Sequence, residues 1–248
     1  MIRWIGLITL ILFFGCDTED APDCLKSSGA PVQKELFVEA FSRILVNENI
    51  ELVVREGDEI KVIVESGENL INTVKAEIQG DRLVLTNENG CNIFRKFNQT
   101  KVFVTTPMLT EIRTSSQFPV RSAGVLSFPE LSLISEDFSE TSAITSGNFE
   151  IEVASERLII VSNNISSFFV SGQVTNLRIT FASGIGRFEG ATLIAQNVSV
   201  FHRGTNKMIV NPQESLKGEL RSTGDLISKN RPPVVEIEEF YKGKLFFE

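Results

Sequence analysis

The chain has 248 residues, with 24 Lys and Arg against 32 Asp and Glu and a formal net charge of −8. That balance speaks against nucleic acid and anionic membrane surfaces as partners, since both attract Lys/Arg clusters that are missing here. The length suffices for an all-β domain with a substantial core, while one histidine and three cysteines leave no means of building a His-rich zinc site.

In chain order, Met1-Ile2-Arg3-Trp4 is a basic start and Ile5 to Phe14 an apolar stretch too short to span a bilayer. Gly15 and Cys16 follow, and the run Leu12-Phe13-Phe14-Gly15-Cys16 resembles a bacterial lipobox, in which the peptide is cut before the cysteine and the cysteine is acylated. It departs from the best lipoboxes in carrying Phe13 three positions before Cys16, with Leu12 one step away. Residues 1–15 are therefore expected to be a signal peptide and Cys16 the site of lipidation, so that the chain meets the membrane through its N-terminal lipid. The alternative is an ordinary cleaved signal whose cysteine joins a disulfide.

Residues 16–35 read as a lipidated acidic tether, because Asp17-Thr18-Glu19-Asp20-Ala21-Pro22-Asp23 has almost nothing to bury. Such an acidic patch behind a lipidated cysteine looks like the signal that sends some lipoproteins to the outer face of the outer membrane. The expected location is thus the outer membrane, on the cell surface rather than the periplasmic side. With Cys16 committed to lipid, Cys24 and Cys91 are left as a candidate disulfide in an oxidising compartment, or as two unrelated thiols.

The domain proper is expected over residues 36–248. From 36 to 107 the pattern alternates with period two, and Glu56-Gly57-Asp58 and Gly80-Asp81 punctuate it, which predicts antiparallel hairpins. Glu68 to Val74 reads as a short helical turn. From 108 to 230 short apolar alternations recur, centred on Ile112, Leu133, Ile160, Ile179, Val200 and Leu220, with turns such as Asn163-Asn164, Ser183-Gly184, Arg203-Gly204 and Thr223-Gly224. A unit of that size cannot bury an apolar face alone but can coil and stack on its neighbours, so the sequence predicts a single-stranded, right-handed β-helix, that is, a β-solenoid. The rival is a sandwich of antiparallel sheets. The wide interval from Leu133 to Ile160 predicts a longer loop or extra strand over Phe138 to Ile151. Pro232-Pro233 forbids two consecutive ladder donors, so residues 231–248 are expected to leave the coil and cap its end.

Phe41 to Ile44, Ile50 to Val54 ahead of Glu56-Gly57-Asp58, Asn69-Leu70-Ile71, Gly80-Asp81-Arg82-Leu83 and Thr106-Pro107-Met108-Leu109 are similar to the head GIN domain family of putative auto-transporter adhesins. The likeness runs from about Leu36 to Phe247, although the family's Ser-Gly-x-Gly signature is clean only at Ser183-Gly184-Ile185-Gly186. It implies a secreted or lipid-anchored protein with a β-helical body and no established activity.

Catalytic candidates are few. His202 alone could serve a nucleophilic triad, and alternation from Val198 and Val200 puts it on the inward parity at a strand end, where a structural or solvent-facing histidine is expected. Glu136-Asp137 with Glu140 is the one acidic cluster in the repeats, and it reads as a solvated loop matching no calcium pattern. Glu236, Glu238 and Glu239 alternate with apolar residues as on a solvent-facing strand. No phosphate-cradling loop joins a strand to a helix, and Ser183-Gly184-Ile185-Gly186 reads as a corner. Phe168 and Phe169 must place one ring on each face. The sequence thus predicts no cofactor, no metal and no catalytic residue, and a lipid-anchored envelope module that binds or adheres to a protein or glycan ligand. The alternatives are a polysaccharide lyase or glycosidase, which needs paired carboxylates or a calcium cluster, and a structural envelope component without a ligand.

Overall fold

Alternating apolar and polar residues become the strands of a computed structural model that describes residues 26–90, 100–138 and 143–248. The predicted signal peptide, Cys16, Cys24, Cys91 and Glu140 lie outside those residues. The fold is all-β. Its first nine strands are β1 (Pro31–Leu36), β2 (Arg43–Val46), β3 (Glu51–Glu56), β4 (Lys61–Gly67), β5 (Val74–Gln79), β6 (Arg82–Asn87), β7 (Lys101–Thr106), β8 (Glu111–Thr114) and β9 (Val120–Leu126). Next come β10 (Glu130–Ser135) and the long strands β11 (Phe149–Ser162), β12 (Ser167–Phe181), β13 (Arg187–His202) and β14 (Met208–Leu220). The chain closes with β15 (Leu226–Ser228), β16 (Val234–Glu239) and β17 (Leu245–Phe247). The predicted helical turn is a single 3-10 turn at Ile71–Thr73.

The strands form two ladders joined by the long strands. In the first ladder β1 pairs with β4, β4 with β7, β7 with β3 and β3 with β9; β9 then pairs with the first half of β11, and the series runs on through β12, β13, β14, β15 and β17. In the second, β5, β6, β2, β8 and β10 lead to the second half of β11, then β12, β13, β14 and β16. β1 and β5 therefore lie at one end, and β16 and β17 at the other. Apart from the pairings made by β4 and β5, every contact is parallel. Each long strand supplies an arm to both ladders, and in β11 and β12 the pairing skips Glu156 and Thr175 where the chain bends between them.

The apolar residues spaced along the sequence pair along one inward column: Ile112 sits on Leu133, Leu133 on Ile160, Ile160 on Ile179 and Ile179 on Val200. The wide interval is absorbed in the connection between β10 and β11, and Phe149 to Ile151, expected in a loop or extra strand, open β11. At the next step the repeat slips. Val200 faces Gly218, and Leu220 instead faces His202. Counting apolar residues overlooks a position whose occupant has no side chain, and Gly218 is needed there: its φ is +137°, and a Cβ would lie 1.9 Å from the carbonyl oxygen of Val200.

Two further expectations are corrected. Of the N-terminal hairpins only β5–β6, turning at Gly80-Asp81, exists. β3 and β4 do not pair across Glu56-Gly57-Asp58; β7 lies between them, parallel to β3 and antiparallel to β4, because all three have inward Val or Leu residues that are buried only when β7 fills the middle. Residues 231–248 do not leave the stack. Pro232-Pro233 falls in the corner before β16, where no ladder donor is required, and β16 and β17 add one more rung in register on β14 and β15.

Alternate side chains of both ladders meet in one core that runs from Ile44 and Leu52 to Leu220 and Leu226. Each inward Val, Ile, Leu or Phe contributes ~1.5–3 kcal/mol on burial. That burial is completed only where neighbouring strands of the two ladders pack together. Phe149 and Phe168 stack on successive rungs with centroids 4.8 Å apart, and Phe181 closes on Phe168 at 5.8 Å.

Candidate functional site

His202 continues this aromatic row. Its ring meets the edge of Phe181 at 6.0 Å and has no solvent exposure. Nε2 lies 2.8 Å from the Asn206 carbonyl oxygen, to which it donates, and Nδ1 accepts the Gly204 N–H at 3.3 Å, so both nitrogens are committed to the corner that follows β13. Of the two expected roles, structural or solvent-facing, this is the structural one. Burial pushes the His202 pKa below the ordinary histidine value, outweighing the raising effects of the Asn206 carbonyl and of Asp225. The folded chain therefore takes up the proton less readily than the unfolded chain, so stability is full above the ordinary pKa of 6.5 and declines as the pH falls from there toward the depressed folded value. Urea midpoints measured from pH 7.5 to 5.5 should fall in the native chain and fall less in His202→Phe. An equal fall in both would contradict the assignment.

The acidic candidates do not converge. Glu136, expected in a solvated loop, is 5% exposed and ion-paired with Arg113, because it directly follows β10, which lies beside the β8 strand that carries Arg113. Asp137 accepts from the Asn163 side chain. Glu236 pairs with Lys217 at 3.0 Å, and Glu239 accepts from Lys244 and from the Leu245 N–H, the Lys244 bond foremost in holding its carboxyl below the ordinary value. Glu238 is exposed. Among the described residues no group of three or more His, Cys, Asp or Glu is placed to hold a metal ion. Ser183-Gly184-Ile185-Gly186 is a corner whose Ile185 and Gly186 N–H groups both donate to the Asn164 carbonyl at 2.8 and 2.9 Å. Phe168 is fully buried and Phe169 is 44% exposed, one ring to each face as alternation requires.

The outward face of the second ladder has the most organised polar surface. Its columns follow the ladder register: Arg157, Asn176, Asn197 and Ser215 form one, and Ile159, Arg178, Ser199 and Lys217 the next. Side-chain bonds link the first column, Asn197 Nδ2 donating to Asn176 Oδ1 at 3.4 Å and Ser215 Oγ to Asn197 Oδ1 at 2.7 Å. Together these residues line an open groove of about 530 Å³. Ion pairs reach between strands over the whole face: Arg43 with Asp81, Lys75 with Glu88, Arg82 with Glu111 at 2.8 Å, Arg113 with Glu136, Arg157 with Glu130 at 3.2 Å, and Lys217 with Glu236 at 3.0 Å. Arg43 holds the Asp81 carboxyl down at about 2. The arrangement offers charge and hydrogen bonds to a bound molecule and contains no nucleophile, base or paired carboxylate directed at a common point. None of the groove residues was singled out in the sequence, where the polar residue preceding each inward Leu177, Val198 and Leu216 was the available signal.

A family model described as putative auto-transporter adhesin, head GIN domain, matches residues 40–232. No curated protein matches the chain. Among solved structures, a putative adhesin from Bacteroides fragilis superposes with a TM-score of 0.79 at 16% identity, covering 90% of this chain and 99% of its own. A putative adhesin from Parabacteroides merdae gives 0.58 at 14% identity over 90% and 98% of the two chains. A protein from Parabacteroides distasonis described as a putative lipid binding protein gives 0.60 at 13% identity over 88% and 98%. At these identities the likeness is one of fold.

Proposed function

The chain belongs to the head GIN domain family of putative auto-transporter adhesins, and from that premise we propose that it is a non-catalytic binding module held by lipid at Cys16 on the outer membrane, facing the cell surface. In this reading residues 1–15 are a signal peptide, residues 16–35 a tether, and residues 36–248 a right-handed β-solenoid whose long outward faces contact ligands. The observation that carries it is the parallel register of the rungs, which displays polar side chains in columns along the stack while sealing the lone histidine inside. Such columns give a large, shallow, repetitive surface suited to adhesion rather than to a reaction at one point. Relatives in fold that are described as adhesins agree with it.

Bacterial cells producing the full chain should attach to polymer-coated or matrix-coated surfaces more than cells without it, and protease treatment of the intact cells should remove both the chain and the gain. A Cys16→Ser chain should lose acylation and the gain together. Unchanged attachment, or a chain untouched by protease on intact cells, would overturn the proposal.

A further inference from the structure

Every other Lys or Arg on the outward strands of the second ladder has a carboxylate partner, as the six ion pairs above record. Arg178 has none among the described residues, although it is exposed in the groove, with Arg157 on the adjoining strand β11 and Lys217 two strands away on β14. Its column places Ile159 on one side and Ser199 on the other, so neither adjacent rung offers an acid. Beside it runs the hydrogen-bonded row of Asn176, Asn197 and Ser215.

We propose that this groove binds an anionic glycan laid along the stack, a proposal that rests on the adhesion reading and specifies its ligand. Arg178 meets the carboxylate or sulfate of the sugar with its planar fork, and the Asn and Ser groups exchange hydrogen bonds with ring hydroxyls. Strands repeat at about 4.8 Å, a step close to the length of one pyranose residue, so successive sugars meet successive rungs. The polymer is a sugar rather than a polypeptide because the row beside the cation consists of amides and a hydroxyl, which match vicinal hydroxyls.

The test uses beads coated with the full chain, flowed over polygalacturonate, dextran sulfate, neutral dextran, polyglutamate and fibrinogen. Retention is expected on polygalacturonate, on dextran sulfate or on both, and whichever retains the beads identifies the anion. Arg178→Ala should lower it about tenfold or more and Asn197→Ala several-fold, with thermal melting unchanged and partial recovery in Arg178→Lys. Equal retention of Arg178→Ala on the anionic glycans, or equal retention of the native chain on polyglutamate, overturns the groove as a glycan site. Retention on dextran or fibrinogen alone overturns it while leaving the adhesion reading standing, and retention on no surface overturns both.

Discussion

Gly218→Ala should cost about 3–5 kcal/mol of folding stability, one of the largest losses available from a single methyl group in this molecule. Two costs combine. At φ +137° an L-residue is strained by about 1–3 kcal/mol, and the added carbon would lie 1.9 Å from the Val200 oxygen, 2.8 Å from its carbonyl carbon and 2.9 Å from its nitrogen. All three are backbone atoms, so relief requires moving a rung rather than turning a side chain, at a further ~1–3 kcal/mol. Gly80→Ala separates the two costs, since Gly80 has φ +68° in the β5–β6 turn with nothing within 4 Å of the new carbon. It should lose only about 1 kcal/mol. Urea denaturation of the two variants measures the difference, and equal losses would show that the rungs do not approach at Gly218.

Phe168→Ala should cost about 3–5 kcal/mol, and Phe169→Ala no more than about 0.5 kcal/mol. The first ring is fully buried, stacked on Phe149 at 4.8 Å and packed against Phe181 at 5.8 Å, so its loss leaves a cavity between rungs that rigid strands cannot fill. The second, 44% exposed, leaves its space to water. Thermal or urea unfolding of the pair measures the contrast, and similar losses would mean that the two rings are not on opposite faces of one strand.

These contrasts also show what could be read from the sequence. Alternation gave the strands, and the spacing of Ile112, Leu133, Ile160, Ile179 and Val200 gave the register of one inward column, because apolar side chains at an inward position must recur once per rung. The column failed at Gly218, where the interior requirement is met by close backbone approach instead of by a side chain. The N-terminal strands misled for a different reason. Adjacent alternating segments with a turn between them favour a hairpin locally, yet β7, far along the chain, inserts between β3 and β4, and such non-local pairing leaves no local mark. Pro232-Pro233 reads as a break in the sequence because it removes two donors, but a corner uses neither of them.

His202 was legible because parity fixes the direction of a side chain, and burial then follows. Glu136 was not, since burial of an acid depends on the Arg113 guanidinium from another strand. Arg178 was equally hidden: an arginine stands out only once its neighbours on adjoining rungs are known, and those neighbours, Ile159 and Ser199, come from other parts of the chain.

Distances between spin-label pairs along one outward column would test the stack most directly. Ser132, Ile159, Arg178, Ser199, Lys217 and Glu236 occupy successive rungs. With labels at Ser132 and Arg178, at Ser132 and Lys217, and at Ser132 and Glu236, the separations should rise in proportion to rung number, to about 10, 19 and 24 Å. A separation that levels off or shrinks toward Glu236 would mean that the strands curve back on themselves as a closed barrel, and would contradict an open stack of rungs.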